Sequence, residues 1–126
     1  MIAKEFEEFL LSHLDHYLIP AEDLAIFIDT HNSDHAMLLL ANNGYSRVPV
    51  ITKDKEYVGT ISIADIMSYQ AKNQLTDWEL AQTDIGKMVN TKLQTISDTS
   101  SLTDIMHLLV DYPFLPVLDK NNHFLG

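Results

Sequence analysis

The sequence predicts an α+β fold in which one βαββα unit occurs twice, and three observations support this prediction. Residues 25–59 align with residues 92–126 without a gap. Each copy shows the same local order of strand, helix, strand, turn and strand. Identical residues recur at the turns and element boundaries of the two copies: Ser33 and Ser100, Tyr45 and Tyr112, Pro49 and Pro116, and Gly59 and Gly126. Repetition of a whole supersecondary unit indicates one architecture used twice.

The first copy carries clear signals for its elements. Asn32 or Ser33 caps a helix that runs to about Asn43. Gly44 follows this helix, at a position where a left-handed backbone conformation costs a glycine little. The remaining elements of the copy are a strand over residues 46–51, a turn over 52–56, a return strand over 57–63 and a second helix from Asp65 to about Ala71.

The second copy follows the same order. Ser101 and Asp104 form a pair typical of a capped helix start, and Pro113 ends that helix. A strand over residues 114–118 and a turn over 119–122 follow, and His123 opens the next strand. A proline within a strand predicts a sheet edge or a strand end, and Pro49 and Pro116 share that constraint.

Two segments lie outside the repeats. The first residues of the chain have apolar side chains at helical spacing and predict an amphipathic N-terminal helix. The segment between the copies offers four apolar residues for packing, namely Trp78, Leu80, Ile85 and Met88. The predicted organisation is a helix over 1–20, a first repeat over 21–71, a connector over 72–91 and a second repeat over 92–126.

Composition excludes several classes of function. The chain of 126 residues has no cysteine and a net charge of −10. Absence of cysteine removes disulfides and thiolate metal sites and suits a reducing cytoplasm. The negative charge makes nucleic acid and anionic membranes poor partners, and the chain has neither a membrane-length apolar run nor a signal peptide. His31 and His35 have the i, i+4 spacing of metal ligands but no third ligand follows, so we expect two surface histidines and no metal site.

No pattern in the sequence supports catalysis. The sequence lacks an activated nucleophile, a glycine-rich phosphate loop and a base spaced to reach a nucleophile. The chain has only four glycines. We therefore expect a non-enzymatic protein without a resident cofactor.

The repeat resembles a known family. Residues 44–51, which read Gly-Tyr-Ser-Arg-Val-Pro-Val-Ile, precede a polar turn. Residues 57–65 then read Tyr-Val-Gly-Thr-Ile-Ser-Ile-Ala-Asp. This order is similar to a CBS domain, with its Pro-Val strand, Val-Gly and Ser/Thr-x-x-Asp. The resemblance implies a tandem CBS pair with small mixed sheets packed about a pseudo-two-fold axis and nucleotide clefts between the repeats. The second copy stops at Gly126, short of the family pattern, which indicates a truncated repeat.

Candidate ligand-binding residues lie in the first copy. Apolar walls for a purine are expected from Ala25, Phe27 and Pro49, with Tyr45 stacking on the base. For the phosphates, Ser46 offers a hydroxyl and Arg47 a bidentate grip. The resemblance implies that Ser62 faces phosphate and that Asp65 accepts from ribose hydroxyls. Simpler interpretations stay open, since Asp65 is also a good helix N-cap and Tyr45 and Arg47 also suit packing and a solvated strand edge.

A narrower resemblance concerns the ligand. The segments Tyr17–Ala21, His35–Ala36 and Gly44–Ser46 are similar to small stand-alone CBS proteins of Gram-positive bacteria that bind cyclic di-AMP. This resemblance implies a cytoplasmic homodimer that docks on a partner enzyme, such as an alarmone synthetase, according to its ligand state. Two alternatives are an AMP or ATP energy sensor and a ligand-free dimerisation or docking module.

Overall fold

A computed structural model describes residues 18–44, 46–111 and 114–126. The described chain forms two compact units. The larger unit is Ala25–Lys92, and the smaller unit combines residues 18–24 with Leu93–Gly126. The structure confirms the α+β fold, with two repeats and a small sheet in each unit. The predicted N-terminal helix over residues 1–20 lies almost wholly outside the described residues.

The first strand and helix of the larger unit follow the sequence signals closely. Strand β1 is Phe27–Ile28, and helix α1 is Ser33–Asn43. The Asn32 side chain caps α1 by accepting a hydrogen bond from the His35 backbone N–H at 2.9 Å. Gly44 ends it with a φ of 69°, the left-handed conformation that the sequence predicts there. Both predicted helix boundaries are therefore confirmed.

The larger unit contains a three-stranded sheet in the order β1-β2-β3. Strand β2 is Val48–Ile51 and strand β3 is Tyr57–Ile61, shorter than the predicted strands over 46–51 and 57–63. Strand β2 runs parallel to β1 and antiparallel to β3. The sheet packs against α1, and the buried side chains of this core include Phe27, Ala36, Leu40, Val48, Val50 and Ile61.

Pro49 lies in the central strand of this sheet, although a proline predicts an edge or an end. It is the second residue of β2 and pairs with Thr60. Thr60 exchanges its backbone hydrogen bonds with Asn90, at 3.0 and 2.7 Å, so the polar backbone groups of Thr60 face away from β2. The pairing with β1 begins only at Val50. The nitrogen at position 49 therefore has no ladder bond to lose on either side, which is why the proline is tolerated.

Helix α2, Ile63–Lys72, begins earlier than predicted. Its N-cap is Ser62, whose hydroxyl accepts from the Asp65 N–H at 3.2 Å. Asp65 is the third residue of the helix, and its carboxylate accepts from the Ser62 N–H at 3.0 Å. These reciprocal bonds form a capping box. The expectation that Asp65 is itself the N-cap is wrong, because a serine three residues upstream occupies that position.

The segment predicted as a connector is ordered and belongs to the larger unit up to Lys92. Helix α3, Asp77–Ala81, starts with a capping box made by Thr76 and Glu79. A 3-10 turn follows at Ile85–Lys87. Leu80, Ile85 and Met88 are buried as expected, but Trp78 is 73% exposed. The prediction that Trp78 packs in the core is wrong.

The smaller unit contains strand β4 (Ile96–Ser97), helix α4 (Leu102–Leu109) and strand β5 (Val117–Leu118). The Ser101 hydroxyl caps α4 by accepting from the Asp104 N–H at 3.2 Å, as the sequence predicts. The predicted strand over 114–118 is reduced to its last two residues. The expected return strand is present as a single bridge between Leu118 and Phe124.

Neither a membrane-spanning helix nor a metal-binding cluster occurs among the described residues. None of the helices in the described ranges combines the length and hydrophobicity needed to cross a bilayer. Within the same ranges, no three histidine, cysteine, aspartate or glutamate residues are grouped in a way that could hold a metal ion.

Candidate functional site

An apolar cavity lies between α1 and the start of the sheet in the larger unit. Its volume is about 150 Å³. Apolar cavities of roughly 150 Å³ can hold a benzene-sized ring. The lining residues come from the segment before β1, from β1 itself, from the turn after it, and from the facing parts of α1 and β2: Ala25, Ile26, Phe27, His31, Leu39, Leu40 and Val48. The cavity brings together Ala25 and Phe27, which the sequence analysis selected as purine walls.

His31 is the one lining residue of this cavity with a polar side chain. Its ring meets the Phe27 ring edge-on, with the centroids 6.2 Å apart. The Nδ1 atom of His31 is buried and has no hydrogen-bond partner among the described residues. The expectation of two surface histidines is therefore wrong for His31, which lines the cavity, and right for His35, which is exposed.

A polar cluster forms around Arg47, which immediately precedes β2. Its Nη1 donates to Thr60 Oγ1 and to Asp65 Oδ2, both at 2.8 Å. Its Nη2 lies 3.5 Å from Ser62 Oγ. The Arg47 and Asp65 side chains are 25% and 17% exposed, so the ion pair is partly shielded from water. Arg47 is thus held by a threonine and a carboxylate, and the interpretation of a solvated strand edge does not apply to it.

The two oxygens of Asp65 have different roles. Oδ2 accepts hydrogen bonds from Arg47, from the Ser62 backbone N–H and from the Ser62 hydroxyl, at 2.8, 3.0 and 3.0 Å. Oδ1 accepts none from the described residues. A carboxylate has about four acceptor positions, so Oδ1 keeps capacity for a ligand hydroxyl while Oδ2 holds the helix start and the arginine.

Tyr57 adjoins this cluster electrostatically. Burial raises the pKa of the Tyr57 phenol to about 12, and the nearby positive charge of Arg47 acts in the opposite direction. The phenol is therefore neutral across the physiological range. Asp65 is consequently the counter-ion of Arg47, and Tyr57 contributes no charge to the site.

The free energy of unfolding is expected to fall as the pH rises from about 10 to about 12. The unfolded chain loses the Tyr57 proton at its ordinary pKa of 10.0, whereas the folded chain keeps this proton to about 12. Below the unfolded pKa both states are protonated and the contribution is complete. Urea unfolding at about pH 9 and about pH 11 measures the change. Tyr57→Phe serves as the control and should lose less stability between the two pH values. An equal loss in both proteins contradicts the assignment.

The cavity and the polar cluster occupy opposite faces of one end of the sheet. Val48 lines the cavity, whereas the next residue, Pro49, pairs with Thr60, the hydrogen-bond partner of Arg47. Successive strand residues point to opposite faces. The same end holds the starts of β1 and β2 and the last residue of β3, since Ile61 pairs with Val48.

The other predicted site residues are distributed around this end. Pro49 lies on the face of the polar cluster and not in the cavity. Ser46 is exposed in the loop between α1 and β2. Tyr45 falls outside the described residues. The structure therefore joins Ala25 with Phe27, and Arg47 with Ser62 and Asp65, as two separate groups.

Two residues of the site were missed by the sequence analysis. Thr60 is fully buried and accepts from Arg47. The sequence does contain a signal for Thr60, because a polar residue inside an otherwise apolar return strand needs a hydrogen-bond partner when it is buried. His31 offers no such signal, since it lies in the turn before the Asn32 cap, where no periodicity predicts burial.

Comparison with solved structures finds close relatives. CbpB from Streptococcus agalactiae is 74% identical with a TM-score of 0.95, over 99% of this chain and 79% of that one. CbpB in complex with c-di-AMP is 73% identical with a TM-score of 0.92, over 98% of this chain and 82% of that one. Listeria monocytogenes CbpB, also in complex with c-di-AMP, is 32% identical with a TM-score of 0.80, over 90% and 86% of the two chains.

Comparison with protein families gives a match in both repeats. No curated protein sequence matches the chain at a significant level. The CBS domain family matches residues 21–72 and residues 84–126, which together make up most of the chain. The order β1-α1-β2-β3-α2 of the larger unit is the βαββα order predicted for each repeat. The chain therefore belongs to the CBS domain family.

Proposed function

We propose that this protein is a non-catalytic regulatory sensor that binds an adenine nucleotide, most specifically cyclic di-AMP, at the end of the sheet described above. The observation that carries the proposal is the pairing of a ring-sized apolar cavity with a hydrogen-bonding cluster at the same sheet end. A nucleotide needs both environments, one for the base and one for ribose and phosphate. Two similar proteins, at 73% and 32% identity, were crystallised with c-di-AMP, which supports this choice of ligand.

The base is proposed to occupy the apolar cavity. Ala25 and Phe27 form part of its wall, and Phe27 presents an aromatic ring. A small side chain at position 25 leaves room for a planar ring, and Phe27 can meet that ring at its edge or face. Tyr45 is proposed to stack on the base, and Pro49 to add an apolar surface on the opposite face of the strand.

Ribose and phosphate are proposed to bind the polar cluster. Asp65 Oδ1 is the acceptor for a ribose hydroxyl, because Oδ2 is already committed to Arg47 and Ser62. Arg47 has five N–H donors, of which Nη1 is fully used. Nη2 also donates to Ser62 Oγ at 3.5 Å. Its second N–H and the Nε N–H remain for phosphate oxygens, so Arg47 can grip phosphate without leaving Asp65. Ser46 is proposed as an additional hydroxyl donor to phosphate. Ser62 is proposed as a second donor, which exchanges its hydroxyl bond to Asp65 Oδ2 for one to a phosphate oxygen.

Signalling is proposed to proceed through a protein partner. The protein acts as a cytoplasmic homodimer, and ligand binding changes its affinity for a partner enzyme such as an alarmone synthetase. The size of that change is bounded by the difference in ligand affinity between the two conformations of the sensor. Activity of a purified alarmone synthetase should respond to this protein differently with and without cyclic di-AMP. An identical response in both conditions contradicts this part of the proposal.

Isothermal titration calorimetry with cyclic di-AMP, AMP and ATP tests the ligand. We expect tight binding of cyclic di-AMP and weaker or no binding of the other two. Arg47→Ala should weaken cyclic di-AMP binding about tenfold or more, since it removes charge-assisted hydrogen bonds to phosphate. Lys53→Ala is the matched control, because Lys53 is an exposed cation in the turn between β2 and β3.

Each outcome of the titration assigns a different function. Binding of AMP or ATP in place of cyclic di-AMP makes the protein an energy sensor. No binding of any of the three supports the ligand-free docking module and contradicts the proposal. Equal affinities of Arg47→Ala and Lys53→Ala place the phosphates away from the cluster.

A further inference from the structure

The fold holds the hydroxyl of Thr60, in strand β3, in one place. The Thr60 backbone N–H donates to the Asn90 carbonyl at 3.0 Å, and the Thr60 carbonyl accepts from the Asn90 N–H at 2.7 Å. Gly59 permits this close approach, because a Cβ at position 59 would lie 2.8 Å from the Asn90 carbonyl oxygen. Thr60 is also fully buried. Since a β-branched side chain has few χ1 rotamers, the hydroxyl stays where the strand places it.

Arg47 is fixed mainly through one nitrogen, Nη1. This nitrogen donates to Thr60 Oγ1 and to Asp65 Oδ2, both at 2.8 Å. Nη2 makes only a longer bond, of 3.5 Å, to Ser62 Oγ. With Asp65 as its one close acceptor, the guanidinium could rotate about the axis between Nη1 and Oδ2. The second close acceptor, on Thr60, defines the plane of the guanidinium and therefore the directions in which Nε and Nη2 point.

The orientation of Arg47 matters for binding because its side chain is long and only partly buried. An arginine side chain has a large rotamer entropy, part of which is lost when it grips a ligand. The Arg47 side chain is 25% exposed, so it can turn toward solvent when nothing holds it. A site that fixes the arginine before the ligand arrives avoids the cost of ordering it on binding.

We infer that Thr60 is a positioning residue that orients Arg47 toward the ligand phosphate. Thr60 is fully buried, so its effect on the ligand passes through Arg47 and not through direct contact. This inference rests on the proposed binding of phosphate by Arg47 and adds the residue that prepares Arg47 for it.

Calorimetry with cyclic di-AMP on Thr60→Val measures the effect. Valine keeps the β-branched shape and removes the acceptor. We expect binding about fivefold weaker, the cost of ordering one long side chain on binding. Thr60→Ser restores the hydroxyl and should bind within about twofold of the unsubstituted protein. Thr83→Val is the matched control, because the Thr83 hydroxyl donates to the Glu79 carbonyl at 2.9 Å and not to the site.

A double-mutant cycle with Arg47→Ala separates positioning from a general structural effect. If Thr60 acts through Arg47, adding Thr60→Val to Arg47→Ala should change the affinity by less than about twofold. A merely structural role predicts the same loss in both backgrounds. If Thr60→Val does not fold, as judged by circular dichroism, Thr60→Ala takes its place in the cycle.

The outcomes separate the inference from the proposed function. Unchanged or tighter binding by Thr60→Val overturns the role of Thr60 and leaves the proposed function in place, and so does an equal loss in both backgrounds or an equal loss in Thr83→Val. Binding of cyclic di-AMP by Arg47→Ala as tight as by the unsubstituted protein overturns the inference alone. Failure of the unsubstituted protein to bind cyclic di-AMP overturns the proposed function and the inference together.

Discussion

Asp65→Ala is expected to weaken cyclic di-AMP binding by at least about tenfold and to lower the free energy of unfolding by about 2 kcal/mol. The stability loss arises at Oδ2, which accepts from Arg47 and from two groups of Ser62. The affinity loss arises at Oδ1, which is proposed to hold a ribose hydroxyl, and from Arg47, which loses the partner that positions it.

Urea unfolding and calorimetry on the same preparation separate the two effects of Asp65→Ala. Asp54→Ala is the control, since Asp54 is an exposed carboxylate in the turn between β2 and β3. It should leave both quantities within about 0.5 kcal/mol. A stability loss with unchanged affinity restricts Asp65 to its structural role in the capping box and removes it from the ligand site.

Ile66→Ala is expected to produce the largest stability loss, about 3–4 kcal/mol. Ile66 follows Asp65 in α2 and is fully buried in the core of the larger unit. Truncation removes buried methyl and methylene groups and leaves a cavity that the surrounding side chains fill only in part. Because total stabilities of domains are about 5–15 kcal/mol, such a loss is a large fraction of the whole.

The next residue of the same helix provides the control for Ile66. Met67 is 53% exposed, so Met67→Ala should change the free energy of unfolding by no more than about 0.5 kcal/mol. Urea unfolding followed by circular dichroism measures both variants. Similar losses in the two variants would show that the buried face of α2 is assigned incorrectly.

The elements that the sequence predicts well are those defined by local chemistry. Asn32, Gly44 and Ser101 each act at a helix end through bonds to backbone groups within a few residues or through their own backbone freedom. Such interactions need no knowledge of the rest of the fold. The start of α2 was misplaced because Ser62 and Asp65 are both suitable caps, and only the backbone geometry selects Ser62.

The predictions that failed depend on long-range packing. Trp78 has the hydrophobicity of a core residue, but the α3 face that packs inward carries Leu80 instead. Pro49 is tolerated in a central strand because neither neighbouring strand requires a hydrogen bond at its nitrogen. On the β3 side this depends on the pairing of Thr60 with Asn90, two residues that lie 30 positions apart in the chain. The residues next to Trp78 and Pro49 in the sequence indicate neither the inward face of α3 nor the pairing of Thr60 with Asn90.

The candidate site was predictable in part for the same reason. Ser62 and Asp65 are close in sequence and form one local motif, and Arg47 was selected for its chemistry. That Arg47 already pairs with Asp65 requires the antiparallel register of β2 and β3. The position of His31 depends on the packing of the chain around α1 and the sheet, which brings its ring beside that of Phe27.

A crystal structure of this protein with cyclic di-AMP tests the central claim most directly. The account predicts an adenine ring in the cavity lined by Ala25, Phe27 and His31, with a ribose hydroxyl within hydrogen-bonding distance of Asp65 Oδ1 and phosphate beside Arg47. A complex in which this cavity stays empty and the nucleotide contacts neither Arg47 nor Asp65 would contradict it.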